Sequence, residues 1–398
     1  MKPYNFFLVV LSLVVLSGCS TLGTHHDISG PVPVSKSVSE IPENQLLDVW
    51  IEVFDPGVLP TDPEDASGLS LDIRQAEARY LPEQLRATME KTGYWGAVRL
   101  VPRGTEGGEV LVSGTILVSD GEQLELAINA QDATGRRWFK GVYKAEVPAT
   151  IYQSGGPHGE PFQPLYNAIA NDLAKFRGSL AAGDITTIRR VAELRFAADL
   201  APDAFAGYLD HGESGEYTIN HLPSHDDPMY RRIQAIRERD FQLIDTLNGH
   251  FENFYREMDT PYTEWRRARS EEAAALREIE KDALKRKLLG VAAIAGAIAI
   301  EATGKGNSAT GSVLRDTMVL GGVYAIKTGF DKDSETEIHR DAIEELGHSF
   351  TSEAQPLVVE VEGRTHELTG SAEVQYTRWR GLLRQIYTAE TGLPGAAN

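Results

Sequence analysis

One cysteine stands in the 398 residues, Cys19, and it follows an apolar run. A chain with a single thiol can form neither an internal disulfide framework nor a thiolate metal cluster, so hydrophobic cores and hydrogen bonds must hold its fold. The run is Phe6 to Leu16, eleven residues broken only by Ser12, with Lys2 before it and Leu16-Ser17-Gly18-Cys19 at its end. It is too short to cross about 30 Å of hydrocarbon as a permanent helix, and small residues before a cysteine suit an extended cleavage site. The expectation is a secretion signal over residues 1–18 with Leu16, Ser17 and Gly18 as its cleavage motif. Cys19 then carries a diacylglycerol and an N-acyl lipid, and no other cofactor is expected. Ser20 in the next position resembles the pattern of lipoproteins sorted to the outer membrane, here with the periplasmic face favoured.

The remaining residues suffice for two domains with real cores. The formal charge is −19, from 39 basic and 58 acidic side chains. Such a surface repels nucleic acid, which needs clustered Lys and Arg to displace counterions. It also disfavours broad adhesion to anionic lipid, so membrane attachment falls to the acyl chains.

Residues 19–44 are rich in Ser, Pro, Gly and Thr without an apolar period, and are expected to be a flexible tether. His25 and His26 fall in it as a solvated pair. Order begins at Leu46, and Val49, Ile51 and Val53 alternate as one face of a strand. Pro82 suits the first turn of a short helix with Leu81, Leu85 and Met89 on one side, stopped by Gly93. Strands follow at Ala97 to Val101, Val110 to Val118, Leu124 to Ala130 and Arg137 to Val147, turning at Asp120-Gly121 and at Asp132-Ala133-Thr134-Gly135. A helix from Pro164 to Phe176 completes the set. The fold class expected is α+β, with an α/β sandwich of mostly antiparallel sheet over residues 45–180 that folds without the rest.

Leu81-Pro82-Glu83-Gln84-Leu85 through Gly93, Ala97-Val98-Arg99-Leu100-Val101, Val110 to Ile116 with its Ser113-Gly114-Thr115 corner, and the Asp132 to Gly135 turn together resemble a known module. It is the periplasmic α/β domain shared by the curli secretion lipoprotein CsgG, the TolB amino-terminal domain and the penicillin-binding-protein activator LpoB. The resemblance covers about a third of the chain and rests mostly on turn chemistry. It implies a protein-binding module without catalytic residues. No pair of long amphipathic strands of the kind that builds a CsgG-type barrel is found.

Residues 181–355 are expected to form a helical domain, and residues 356–398 a β-hairpin and terminal helix. Ile185 to Leu200 is amphipathic, and Asp226-Asp227-Pro228 caps a long helix. Met229, Ile233, Ile236, Leu243, Leu247, Phe251, Phe254 and Met258 step by threes and fours as a coiled-coil-like seam that Asp240 interrupts. Asp259-Thr260-Pro261 is expected to break the helix before a solvated stretch to Lys287. Leu288 to Ile300 then runs thirteen residues without a polar side chain, and Val319 to Ile326 is apolar again, which suggests a helical hairpin over 288–326. Gly290, Ala292 and Gly296 on one limb and Gly321 and Gly322 on the other allow close packing. Three placements stay open: burial in the monomer, self-association into a homo-oligomer, and insertion into a membrane. A polar helix near Ser334 to Leu346, a hairpin turning at Glu362-Gly363, and a helix capped by Ser371 and stopped by Gly392 finish the chain.

Catalytic constellations fail at specific positions. Gly212-Glu213-Ser214-Gly215 is followed by Glu216, which leaves a nucleophile-elbow pattern incomplete. His366-Glu367 begins a zinc-protease pattern whose second histidine is replaced by Gly370. His221 and His225 with Asp226 or Asp227 suit either a metal or a helix entrance capped by the aspartates. Tyr94 and Trp95 suit either a core or a docking face. The function expected is a non-catalytic envelope assembly, scaffold or interaction factor with a periplasmic protein partner. The alternatives are a cell-wall-directed hydrolase and an oligomeric secretion or membrane-inserting component.

Overall fold

The structure, a computed structural model, describes residues 24–59, 71–105, 107–152, 159–224, 226–301, 357–361 and 364–392. A sheet of β1 (Thr24–Ile28), β2 (Val49–Glu52), β3 (Val98–Val101), β4 (Val110–Ser119), β5 (Gln123–Asp132) and β6 (Arg137–Glu146) has the order β1-β6-β5-β4-β2-β3. It is mixed. β4, β5 and β6 form an antiparallel meander, while β2 runs parallel to β3 and β4, and β1 runs parallel to β6. Parallel neighbours need crossovers, and α1 (Leu71–Glu90) supplies the one between β2 and β3. The turns follow their residues: Asp120 Oδ1 accepts from Glu122 N and Gln123 N beside Gly121 at φ 92, and Asp132 Oδ1 accepts from Thr134 N beside Gly135 at φ 85.

Four further expectations change. The segment expected to be a tether carries β1, paired from Thr24 with Gly141 to Ile28 with Ala145. Beyond it, amides of α2 (Gln163–Gly178) hold the Pro-rich stretch: Asn167 Nδ2 donates to Val32 O at 2.7 Å and Asn171 Oδ1 accepts from Ser35 N at 2.7 Å. β2 is not one-sided, because Trp50 is as buried as Val49 and Ile51 and meets Phe241 edge-on at 6.2 Å between centroids. Pro82 lies inside α1 rather than at its start. A proline there frees the carbonyl four residues earlier, and that carbonyl, Ala78 O, accepts from Phe54 N at 2.8 Å. The kink position thereby docks the chain leaving β2.

The fourth concerns the helices. α3 (Ala182–Leu200), a single turn α4 (Pro202–Phe205) and the small hairpin of β7 (Leu209–His211) with β8 (Tyr217–Ile219) lead to α5 (Pro228–Glu301). Asp227 caps α5 by accepting from Met229 N and Tyr230 N. The helix is continuous for 74 residues and passes Pro261 unbroken. Met258, Tyr262 and Trp265 are buried on both sides of the proline, so packing offsets the lost hydrogen bond. At 1.5 Å per residue α5 is about 110 Å long, and the first limb of the expected hairpin, with Gly290, Ala292 and Gly296, is the last part of this helix. Leu16, Ser17, Gly18, Cys19, Gly321, Gly322, His225, the helix near 334–346 and the turn at Glu362-Gly363 lie outside the described residues. The hairpin of β9 (Leu357–Val361) with β10 (Arg364–Leu368), and α6 (Ala372–Thr391) between Ser371 and Gly392, are as expected.

The apolar seam of α5 faces this chain's own sheet and α6. Leu81 of α1, Trp265 of α5 and Leu383 of α6 belong to one contiguous buried cluster, so the boundary placed at residue 180 does not divide two cores. Polar anchors fix the register. Asn248 on α5 donates to Leu100 O at 2.9 Å and accepts from Leu100 N at 2.7 Å, which closes the free edge of β3. Glu77 of α1, fully buried, accepts from Ser119 Oγ and Tyr262 OH, each at 2.6 Å. Asp240, the residue interrupting the seam, accepts from Trp379 Nε1 at 3.1 Å, Arg380 Nη1 at 3.1 Å and Tyr376 OH at 3.4 Å, and so seats α6.

Asn248→Ala strands both buried backbone groups of Leu100. The expected cost is about 2 to 4 kcal/mol in urea unfolding of the full chain; a loss no larger than that of an ordinary surface substitution would mean that water replaces the amide.

Candidate functional site

β2 and β3 end side by side, and ligands in open α/β sheets bind outside the carboxyl ends of parallel strands. A cleft of about 1060 Å³ lies there. Its floor is Val53 and Phe54 after β2 and Pro102, Gly104 and Thr105 after β3, with the face of α1 at Gln75 and Arg79 on one side and α6 across the top. Among the described residues, five arginines line it, Arg79, Arg103, Arg378, Arg380 and Arg384, against two carboxylates, Asp199 and Glu373.

Each guanidinium is held in place. Arg79 Nη2 lies 3.0 Å from Glu373 Oε1 and its Nη1 donates to Gln75 O at 3.1 Å. Arg103 pairs with Asp55 at 2.7 Å on the rim, where both side chains are about half exposed. Arg378 Nη1 donates to Thr369 O and Thr369 Oγ1, each at 2.9 Å. Arg380 bridges Asp240 at 3.1 Å and Asp199, packs over the Phe196 ring at 4.8 Å, and is joined at Asp199 by Arg384 at 3.3 Å. Burial pushes the Glu373 carboxyl up, but Arg79 and the amino end of α6 outweigh it, leaving Glu373 below the ordinary range. Burial alone would pull the Arg380 guanidinium down, and Asp240 and Asp199 hold it up instead. Glu373 is therefore ionised opposite Arg79 at neutral pH, and arginines outnumber carboxylates among the described residues lining the cleft of a strongly acidic chain.

A second polar cluster lies at the opposite, amino ends of β2 and β4. Glu109 Oε2 accepts from Asp48 N at 2.8 Å and Arg189 Nε stands 3.5 Å from Oε1. Arg99 there joins Asp48 at 2.8 Å to Asp245 at 2.6 Å. Burial pushes the Glu109 carboxyl up to about 7; the Asp48 amide opposes this and the Asp48 carboxylate adds to it.

The residues weighed from sequence fall elsewhere. Gly212 to Gly215 make the turn between β7 and β8, and His366 and Glu367, adjacent on β10, point to opposite faces. His221 packs on the Tyr208 ring at 4.1 Å, and among the described residues no group of three His, Cys, Asp or Glu is placed to hold a metal. Trp95 is core, stacked on Trp138 at 6.1 Å, and Tyr94 OH donates to Lys36 O at 3.2 Å. His26 is not solvated in a tether but stacks on Tyr143 at 4.5 Å, beside Asp172. The arginine cleft was missed. Its one local signal is Arg378, Arg380 and Arg384 within seven residues of a chain whose charge is otherwise negative.

Compared with protein-family models, curated proteins and solved structures, the chain matches none. Among the described residues, no helix is long and apolar enough to cross a membrane.

Glu109 generates a pH prediction. A carboxyl raised in the folded state favours folding below pH 4.5, its ordinary value, and that contribution is lost as pH rises through about 7. Glu109→Gln keeps an acceptor for Asp48 N and abolishes the titration. Stability of the variant relative to the parent is expected to rise by about 3 kcal/mol between acid and mildly alkaline pH, read from urea midpoints; parallel pH profiles would contradict it.

Proposed function

We propose that the chain is a lipoprotein of the bacterial envelope, anchored at the outer membrane through acyl chains on Cys19 after cleavage at Leu16-Ser17-Gly18. It faces the periplasm and acts as a non-catalytic assembly or interaction factor for a protein partner. The observation that carries the interaction role is α5. Its first half is pinned to the sheet by Asn248, to α6 by Asp240 and to α1 by Tyr262, while about 110 Å of continuous helix exceeds the roughly 50 Å breadth of a body of this size. A long helix with a clamped base and an apolar last stretch, Leu288 to Ile300, suits reaching a second polypeptide. Gly290, Ala292 and Gly296 lie on that stretch, which makes a homo-oligomer the second form of the same proposal. The likeness to the CsgG, TolB and LpoB domain is part of it, supported by the β2-α1-β3 crossover and the meander with its Asp132 to Gly135 turn.

Cys19→Ala is expected to give an uncleaved or soluble product in cell fractionation. A variant that still floats with outer-membrane vesicles at the mature mass would show that another element is the anchor. A photo-crosslinking side chain at Ile294 should join α5 to a second polypeptide, or to a second copy, in intact cells; products confined to the single chain would remove the role given to the helix.

A further inference from the structure

We propose that the arginine cleft is a docking site for an acidic peptide segment of a protein partner. This goes beyond the contact proposed for α5: among the described residues none of α5 lines the cleft, so the two surfaces succeed or fail separately. Three observations converge. The cleft opens at the carboxyl ends of two parallel strands, and at about 1060 Å³ it holds several residues of chain rather than one small ion.

Its charge is the second. Five guanidiniums line it among the described residues, in a chain of formal charge −19, and with the carboxylates they pair with, Glu373, Asp55, Asp240 and Asp199, the balance is still positive by one. An acidic chain that gathers this many arginines on one concave surface attracts anions there and repels them elsewhere, which confers selectivity as well as encounter rate.

The third is what the arginines already hold. Asp199 bridges Arg380 and Arg384, and Glu373 sits on Arg79, so the guanidinium forks are oriented by carboxylates along the wall of the cleft. The Nε–H groups of Arg79 and Arg384 are buried without a hydrogen-bond partner among the described residues. Planar forks set by carboxylates suit further carboxylates, supplied by Glu or Asp side chains spaced along an extended peptide. Arg103 on the rim and Arg378, which among the described residues is tied to Thr369, are the residues to meet the entering segment first.

The test is fluorescence anisotropy with a labelled oligoglutamate peptide on the detergent-solubilised full chain. Binding is expected to weaken steeply with salt, to fall about tenfold or more in Arg103→Glu/Arg378→Glu, and to resist displacement by equimolar inorganic phosphate. Arg103→Glu alone, at a half-exposed site, gives a smaller loss in the same direction should the double variant melt early. Absence of oligoglutamate binding, equal affinity in all variants, displacement by phosphate, or preference for phosphatidylglycerol vesicles would each overturn the assignment.

Discussion

Two carboxylates with no access to water, Glu77 on α1 and Asp240 on α5, decide where the long helix lies. Burial pushes both carboxyls up, and each is stabilised by donors delivered from other elements, with Arg74 of α1 itself adding its charge at Glu77. For Glu77 these are Ser119 at the end of β4 and Tyr262 on α5; for Asp240 they are three groups of α6. An apolar seam can slip by one turn at modest cost, because one methyl-lined groove resembles the next. A buried carboxylate resists this, since a shift of α5 takes Tyr262 from Glu77 and all three α6 donors from Asp240, and a buried charge left short of partners costs on the order of several kcal/mol. Arg266, fully buried on the Tyr262 ring at 4.0 Å and paired with Glu160 at 2.8 Å, ties the loop before α2 into the same register.

The cleft follows from that register. Asp240 holds Arg380, Arg380 reaches Asp199 on α3, and this line places α6 across the open ends of β2 and β3. Without α6 those strand ends would face solvent and Arg79 would lose Glu373. Stability and site therefore share residues: the central arginines of the cleft are bolts of the fold, and the rim arginines are freer to engage a ligand. The charge distribution points the same way, because pairs near the floor are shielded from salt while Arg103 and Asp55 at the rim are screened.

The sequence was legible where local chemistry acts alone. Caps at Asp227 and Ser371, the stop at Gly392 and the turns at Asp120 and Asp132 each declare themselves through one side chain and the backbone beside it. It was illegible where polar residues occupy buried positions. α1 begins at Leu71, eleven residues before Pro82, but Arg74 and Glu77 on its buried face erase the apolar period that would have announced it. Asp240 stood out as an interruption of a seam, with nothing nearby to say that Trp379 and Arg380 answer it. Pro261 suggested a break because its local penalty is visible in sequence while the tertiary packing of Met258 and Trp265 is not. The cleft draws on Arg79, Arg103, Asp199 and the 373–384 stretch, and only the fold brings them together.

β1 was hidden for a related reason, and it changes the geometry of the proposed anchor. Thr24 to Ile28 is largely polar and lies at the sheet edge, so its pairing with β6 is made by backbone groups that leave no apolar trace. A tether running to residue 44 would let the body wander up to about 85 Å from a lipid on Cys19. With the chain fixed from Thr24 onward, five residues remain, and their contour limits the distance to about 18 Å. In the anchored form proposed above, the β1 edge of the sheet is therefore held near the bilayer. The arginine cleft sits beyond β2 and β3, at the other edge of the same sheet. In that proposed form, a lipid anchor at one edge and the arginine cleft at the opposite one turn the cleft away from the headgroups, toward protein rather than lipid.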